Sequence, residues 1–142
     1  MKKIIAVLAI GLSFTAANAQ QVKETQVPPV VKSSFAKMLP GIKQVKWDKE
    51  NKQFEASYTL GQHKGSVLFD NTGKWTEKET AIGVKELPQK ALAYMKENFK
   101  GHTLMGAAKI IKANGEVQYE AEISGKDVFF TQQGIFIKAD KV

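Results

Sequence analysis

The sequence of 142 residues contains no cysteine and no arginine. Without cysteine the chain forms no disulfide and carries no lipid on a cysteine, so its fold must rest on a hydrophobic core. Arginine makes the bidentate hydrogen bonds that recognise phosphate and guanine, and its absence argues against specific nucleic-acid binding. Lysine supplies all of the basic charge, and the lysines form no run after residue 19. We therefore expect no nucleic-acid partner.

The sequence also has few of the groups that catalysis and metal binding require. His63 and His102 are the only histidines, and neither has a carboxylate at ligand spacing. The turn Asp70-Asn71-Thr72-Gly73 resembles part of a calcium loop, but the later acidic ligands are missing, and such residues usually bond their own backbone. No Gly-x-Ser-x-Gly motif or phosphate-binding loop is present. We expect no enzyme activity, no catalytic residue, no cofactor and no metal site.

The first 19 residues predict a secretory signal peptide. Lys2-Lys3 forms a basic start, Ile4 to Leu12 is an uncharged apolar run, and Ala17-Asn18-Ala19 fits the cleavage pattern. This run is too short to cross about 30 Å of hydrocarbon, and no second one follows. We expect a periplasmic or secreted protein with no transmembrane segment after cleavage. We then expect residues 20–142 to form a single domain, which is long enough to bury a hydrophobic core without covalent cross-links.

Two segments of the chain, 27–80 and 87–138, resemble each other, and an internal repeat of this length indicates a duplicated structural unit. Each begins with a predicted helix, at 28–38 and at 88–99, with proline in its first turn. The apolar residues of the two helices recur at four-residue spacing and match at an interval of sixty residues. These residues are Val31, Phe35 and Leu39 in the first helix, and Ala91, Met95 and Phe99 in the second.

Each segment then alternates apolar and polar residues, as in 54–60 and 117–123, which is typical of an antiparallel sheet covered on one side. Turn signals divide each segment into four short strands, and Asn114-Gly115 is the strongest hairpin signal. Glu55 and Glu120 occupy matching strand positions, with Glu122 nearby, and we interpret them as part of a polar sheet face. The sequence thus predicts an α+β fold of two tandem repeats, each a helix followed by a four-stranded antiparallel sheet.

The third and fourth strands of each segment have apolar residues on both faces. We assign Val67, Phe69, Val128 and Phe130 to the core. The remaining apolar side chains then point to the other face, where hairpin geometry would bring them together in pairs. With Trp47, they form a candidate partner-binding patch of Trp47, Leu68, Trp75, Phe129 and Phe136. In the alternative interpretation the sheet edges or the N-terminal tail cover these side chains, since cross-strand aromatic pairs are common in sheets.

The order of short motifs resembles a known family. The motifs are Val-Pro-x-x-Val-x-x-x-Phe from Val27 to Phe35, Pro40-Gly41, Val45-Lys46-Trp47, Asp70-x-x-Gly73-Lys74-Trp75 and Leu87-Pro88. They are similar to those of the PepSY-like, β-lactamase-inhibitor-like family of exported bacterial proteins, which are common in Bacteroidetes. This resemblance implies a continuous sheet with both helices on one face, and a periplasmic or secreted location. The second segment departs from the pattern, with Lys100 in place of proline and Phe136 in place of tryptophan.

Three functions remain open at this stage. The first is an exported, non-enzymatic module that docks or inhibits an envelope or extracellular protein through its sheet face. The second is a small-ligand or glycan binder in which Trp47 and Trp75 stack on rings or sugars. The third is a structural envelope protein without a specific site. The oligomeric state is not predicted.

Overall fold

A computed structural model describes residues 19–142, so the predicted signal peptide lies outside the described residues except for Ala19. Two α-helices and nine β-strands form an α+β fold. The helices are α1, Pro29–Met38, and α2, Gln89–Asn98. The strands are β1 Gln20–Val22, β2 Val45–Glu50, β3 Gln53–Leu60, β4 His63–Phe69, β5 Trp75–Ile82, β6 Gly106–Lys112, β7 Val117–Ile123, β8 Lys126–Thr131 and β9 Phe136–Lys141.

All nine strands belong to one antiparallel sheet in which each strand pairs with the next one along the chain. Turns of two to five residues join most neighbours, and short connections of this kind are typical of an antiparallel meander. The longer connections contain α1, between β1 and β2, and α2, between β5 and β6. A helix followed by four strands therefore occurs twice along the chain.

The predicted helices are confirmed to within about a residue at each end. Proline precedes the first turn in both, and each helix ends where its last backbone N–H, at Leu39 or at Phe99, bonds to the carbonyl four residues earlier. The first strand was not predicted, because Gln20–Val22 is too short to show alternation. Its pairing of Val22 with Trp47 is a long-range contact that the local pattern does not contain.

The helices pack on two separate hydrophobic clusters. Val31 and Phe35 of α1 belong to the first cluster, whose other buried members are Val27, Trp47, Phe54, Ala56, Val67 and Phe69. Ala91 and Met95 of α2 belong to the second cluster, whose other buried members are Leu87, Ala107, Ala121, Ile123, Val128 and Phe130. A helix of ten residues is marginal alone, so this packing holds each one in place.

The strand residues of both clusters lie on one face of the sheet, which we call the cluster face. The register shows this through β5 and β6, because Val67 pairs with Lys78 and Lys78 pairs with Ile111. Ala107 lies four residues before Ile111 on the same strand and therefore points to the same side. None of the helices in residues 19–142 is long and apolar enough to cross a membrane.

Candidate functional site

The structure divides the five residues of the predicted patch between the two faces of the sheet. Leu68 and Phe129 point away from the cluster face, as expected from the alternation of β4 and β8. Trp47 is a member of the first cluster and is only 5% exposed. Trp75 and Phe136 also lie on the cluster face. The prediction that these five side chains form one surface is therefore wrong.

Two matching register shifts explain the misplacement of Trp75 and Phe136. The β4–β5 pairing shifts between Leu68 and Phe69, so Trp75 lies opposite Phe69. The β8–β9 pairing shifts in the same way, so Phe136 lies opposite Phe130. A shift of one residue in a strand turns a side chain to the other face.

Trp75 and Phe136 find partners on the cluster face. Trp75 packs against the first cluster, and the Lys78 ammonium lies 4.3 Å from the centre of its ring. Phe136 stacks on Tyr94 of α2. A sugar ring therefore cannot stack between Trp47 and Trp75 without opening the first cluster, which removes the geometric basis of the glycan-binding hypothesis.

The opposite face has its own buried apolar residues. Ala108, Ile110 and Phe129 are each at most 8% exposed, yet they belong to neither helix-covered cluster. Their positions in the register place them beside Leu68 on the face that alternates with the cluster face.

Acidic residues are concentrated on this same face, which we call the carboxylate face. Nine of the chain's 14 acidic residues lie there, against four of its 21 lysines, although the formal net charge of the chain is +7. The acidic residues are Asp48, Glu50, Glu55, Glu77, Glu79, Glu120, Glu122, Asp127 and Asp140. The lysines are Lys46, Lys64, Lys112 and Lys138. The sheet thus concentrates acidic groups on one face of a basic protein.

Glu79 on β5 is the most buried of these carboxylates. It is 1% exposed, and neither of its carboxylate oxygens has a hydrogen-bond partner in the described part of the chain. Burial, reinforced by the negative charges of Glu120 and Glu55, holds its pKa well above the usual range for glutamate. Ser66, its neighbour across the β4–β5 register, also has a buried hydroxyl without a partner.

Three further carboxylates on this face are buried and have raised pKa values. Burial raises the pKa of Glu55 to about 7; the nearby Ser66 hydroxyl offsets part of this rise, although its geometry falls short of a hydrogen bond. Burial and the neighbouring Asp127 raise the pKa of Glu120 to about 8. Burial and Glu122 raise the pKa of Asp127 to about 6. Burial and a neighbouring negative charge both disfavour the charged form of a carboxyl group.

Surface depressions open on the carboxylate face on either side of Glu79. A cleft of about 730 Å³ lies beside Glu55 and is bordered by Lys43, Lys46 and Asp48. A smaller one, of about 300 Å³, lies between Phe129 and the exposed Ile137. The face is therefore uneven, with polar and apolar recesses, rather than a flat polar surface.

The other candidate groups from the sequence show no catalytic arrangement. The Asp70 carboxylate accepts hydrogen bonds from the Thr72 backbone N–H at 2.8 Å and the Thr72 hydroxyl at 2.6 Å, which confirms that it stabilises its own turn. His63 begins β4 and His102 follows α2, both exposed. Within residues 19–142 no three acidic or histidine side chains are close enough to hold a metal ion.

The sequence analysis missed most of the carboxylate face. It placed Glu55, Glu120 and Glu122 on a polar sheet face but gave no role to Glu79 or Asp127. The alternation of Glu77, Glu79 and Ala81 along β5 was an available signal, since these residues share one face. Burial of Glu79 had no signal in the local sequence, because it depends on strands on both sides of β5.

A family model described as β-lactamase-inhibitor-like and PepSY-like matches residues 53–138. No curated protein matches the chain. The matched residues include β3 to β8 and thus most of the carboxylate face.

Several solved structures share the fold. A proposed periplasmic protein from Bacteroides eggerthii aligns with a TM-score of 0.73 and 14% identity over 82% of this chain and 89% of its own. A DUF2874 family protein from Bacteroides uniformis aligns with a TM-score of 0.71 and 20% identity over 81% and 89%. A BLIP-like protein from Bacteroides fragilis aligns with a TM-score of 0.59 and 21% identity over 80% and 84%.

Proposed function

The chain belongs to the PepSY-like, β-lactamase-inhibitor-like family, and from this membership we propose that it is an exported, non-enzymatic module that docks another protein on its carboxylate face. Its location is periplasmic or secreted, in accord with the signal peptide predicted at residues 1–19 and with the description of the similar protein from B. eggerthii. The partner is an envelope or extracellular protein.

The proposed architecture explains why one face is free to bind. In it, segments 27–80 and 87–138 are tandem copies of one unit, and α1 and α2 cover the same side of the sheet. The separate packing of each helix on cluster-face residues supports this arrangement. The opposite side is then available across the whole width of the sheet.

The observation that carries the proposal is the composition of the carboxylate face. Interfaces that bind proteins combine an apolar centre with polar groups that fix orientation. Here the half-buried Leu68 and the exposed Ile137 supply accessible apolar surface, the buried Ile110 and Phe129 lie beneath it, and carboxylates lie between them. A face that only needs contact with water would gain nothing from burying acidic side chains without partners.

Site-specific photo-crosslinking in cells of the native host tests this function. A photoreactive amino acid replaces Leu68 or Gln118, which are half-buried on the carboxylate face, and in a matched control it replaces the exposed Ala93 of α2. We expect the two sheet positions to give the same covalently linked protein and Ala93 to give none. Adducts from Ala93 alone, or no common adduct from the two sheet positions, would contradict docking on this face.

A small-ligand site is the second candidate. The cleft of about 730 Å³ beside Glu55 is within the size range of ligand pockets, and Lys43 and Lys46 could contact an anionic group there. Raised thermal stability with an anionic metabolite, lost in Lys46→Ala but retained in the exposed control Lys96→Ala, would favour this function over protein docking.

A further inference from the structure

We propose that the partner presents a lysine or arginine side chain that binds at Glu79 in the centre of the carboxylate face. The inference rests on the proposed function, because it names the chemistry of the protein that docks there. The occupant is a cationic segment of another protein, and the observations that support it are a buried carboxylate without a partner and the charge of the face around it.

Glu79 is the first of these observations. A buried carboxylate whose two oxygens make no hydrogen bond is costly, and the cost is removed by a donor that carries positive charge. The register neighbours of Glu79 are Ser66 on β4 and Ile110 on β6, and neither is a cation. Glu79 is thus an acceptor without a donor among the described residues, and a partner's side chain reaches it only when the side chains that cover this 1% exposed carboxylate move aside.

The lysines on this face are mostly engaged away from Glu79. Lys46 forms an ion pair with Asp48 at 3.0 Å, and Lys138 forms one with Asp140. Lys112 lies 3.9 Å from Glu116. Lys64 borders the small recess beside Glu120 but makes no ion pair among the described residues. Few lysines of the chain itself therefore compete with a partner's cation for Glu79.

The spacing of the buried carboxylates favours a protein segment over a single metal ion. Glu55, Glu79 and Glu120 lie on β3, β5 and β7, and each is displaced by two residues along its strand from the position opposite the one before. Two strand spacings and two residues along a strand place the backbone positions of neighbours about 12 Å apart. Within residues 19–142 no three such groups are close enough to hold one ion, whereas an extended segment with a long cationic side chain every three or four residues can follow this backbone spacing.

Binding of a cation should also be coupled to ionisation of Glu79. The titratable groups that face it are Glu55 from β3, Lys64 from β4, Glu77 on its own strand, Glu120 from β7 and Asp127 from β8; β6 presents Ile110 and Ala108. Burial and the acidic neighbours raise the pKa of Glu79 and so favour its protonated form in the free protein. A lysine or arginine reverses this preference, so a proton is released on binding and affinity rises with pH.

Selection of displayed peptides tests the inference without knowledge of the natural partner. Displayed twelve-residue peptides are selected for binding to the mature chain. Each selected sequence is then synthesised in three forms, with arginine, with its uncharged isostere citrulline, and with lysine at the cationic position. We expect selected peptides to contain arginine or lysine. Citrulline should weaken binding about tenfold or more, and affinity should increase from pH 6 to pH 8.

Glu79→Gln is the decisive variant, with Glu97→Gln on the exposed surface of α2 as its matched control. Glu79→Gln should weaken peptide binding about tenfold and reduce its dependence on pH, to which Glu55 and Glu120 also contribute, while Glu97→Gln leaves both unchanged; circular dichroism checks that both variants fold. Equal binding by Glu79→Gln, selected peptides without a cationic residue, or no selected peptide at all would overturn the inference.

Two further measurements on Glu79→Gln separate this inference from its alternatives. If calcium or magnesium chloride stabilises the protein but not Glu79→Gln, and competes with the peptides at equal ionic strength, the site binds a metal ion and the inference fails. If photo-crosslinking from Leu68 and Gln118 persists unchanged in Glu79→Gln, docking on the face stands but the role of Glu79 is overturned.

Discussion

Phe136 of β9 stacks on Tyr94 of α2, with ring centroids 4.8 Å apart and ring planes 13° from parallel. Phe136 also lies edge-on to Phe130, its neighbour across the sheet. This contact joins the last strand to the second helix, and it uses a residue that alternation alone would place on the other face. The stacking therefore has a structural role that can be measured separately from docking.

Phe136→Ala should reduce the free energy of unfolding by about 1–2 kcal/mol, because it removes the stacking on Tyr94 from a side chain that is still 37% exposed. Ile135→Ala, at the neighbouring and more exposed position, should cost less than about 0.5 kcal/mol. Urea denaturation measures both. Equal costs for the two variants would show that the stacked pair contributes nothing to stability.

Phe35→Ala should be far more damaging, at about 3–5 kcal/mol, because it empties the centre of the first cluster. The Phe35 ring lies 5.8 Å from the rings of both Trp47 and Tyr58 and 6.5 Å from Phe69, measured between centroids. Val30→Ala on the exposed side of α1 is the control and should cost under about 1 kcal/mol. A similar cost for both variants in chemical denaturation would mean that α1 does not pack through Phe35.

Gly134→Ala tests the contact between the β8–β9 turn and the start of α2. Gly134 has a φ of +82°, and a Cβ there would lie 2.8 Å from the Pro88 Cβ and 2.9 Å from the Ala91 nitrogen. Gly125 has a similar φ of +74° but open space around it. Gly125→Ala should therefore cost about 1–2 kcal/mol from backbone strain alone, and Gly134→Ala about 1–3 kcal/mol more from the clash.

Thermal or urea unfolding of these two glycine variants measures the difference directly. If they prove equally destabilised, the turn and the helix do not meet as described. Gly73 occupies the matching turn of the first half, where a Cβ would lie 2.9 Å from the Ser34 hydroxyl oxygen, so Gly73→Ala should behave as Gly134→Ala does.

The stability of the protein should fall as pH rises from about 4.5 to about 8. The buried carboxylates have folded pKa values above the usual 4.5, with Glu55 at about 7 and Glu120 at about 8. Below pH 4.5 both states are protonated and the folded state bears no penalty. As pH rises, the unfolded state releases these protons first, so the free energy of unfolding decreases.

Glu79→Gln should raise the free energy of unfolding at pH 8, by on the order of 1–3 kcal/mol, and should have little effect at pH 4.5, because an amide needs no deprotonation. Glu97→Gln should leave the pH profile unchanged. Urea unfolding across this pH range checks both variants. A wild-type stability that increases from pH 5 to pH 8 would contradict the burial of ionisable carboxylates on this face.

Much of the fold could be predicted from local patterns. The helices were placed to within about a residue, because proline at the start and apolar residues at four-residue spacing are local signals. Strand alternation likewise placed Val67 and Val128 in the core and Leu68 and Phe129 on the opposite face. In contrast, Trp75 and Phe136 were assigned to the wrong face, since a register shift in a hairpin cannot be recognised from the alternation of apolar and polar residues.

The amino-acid sequence by itself determined the absence of disulfides, the two helical periods and the alternation that makes a one-sided sheet, because each depends on residues close together in the chain. Only the tertiary structure decided which side Trp75 and Phe136 occupy, and that Glu79 is buried without a partner. Both depend on strand register and on neighbours from distant strands, and a displacement of one residue is enough to exchange the two faces.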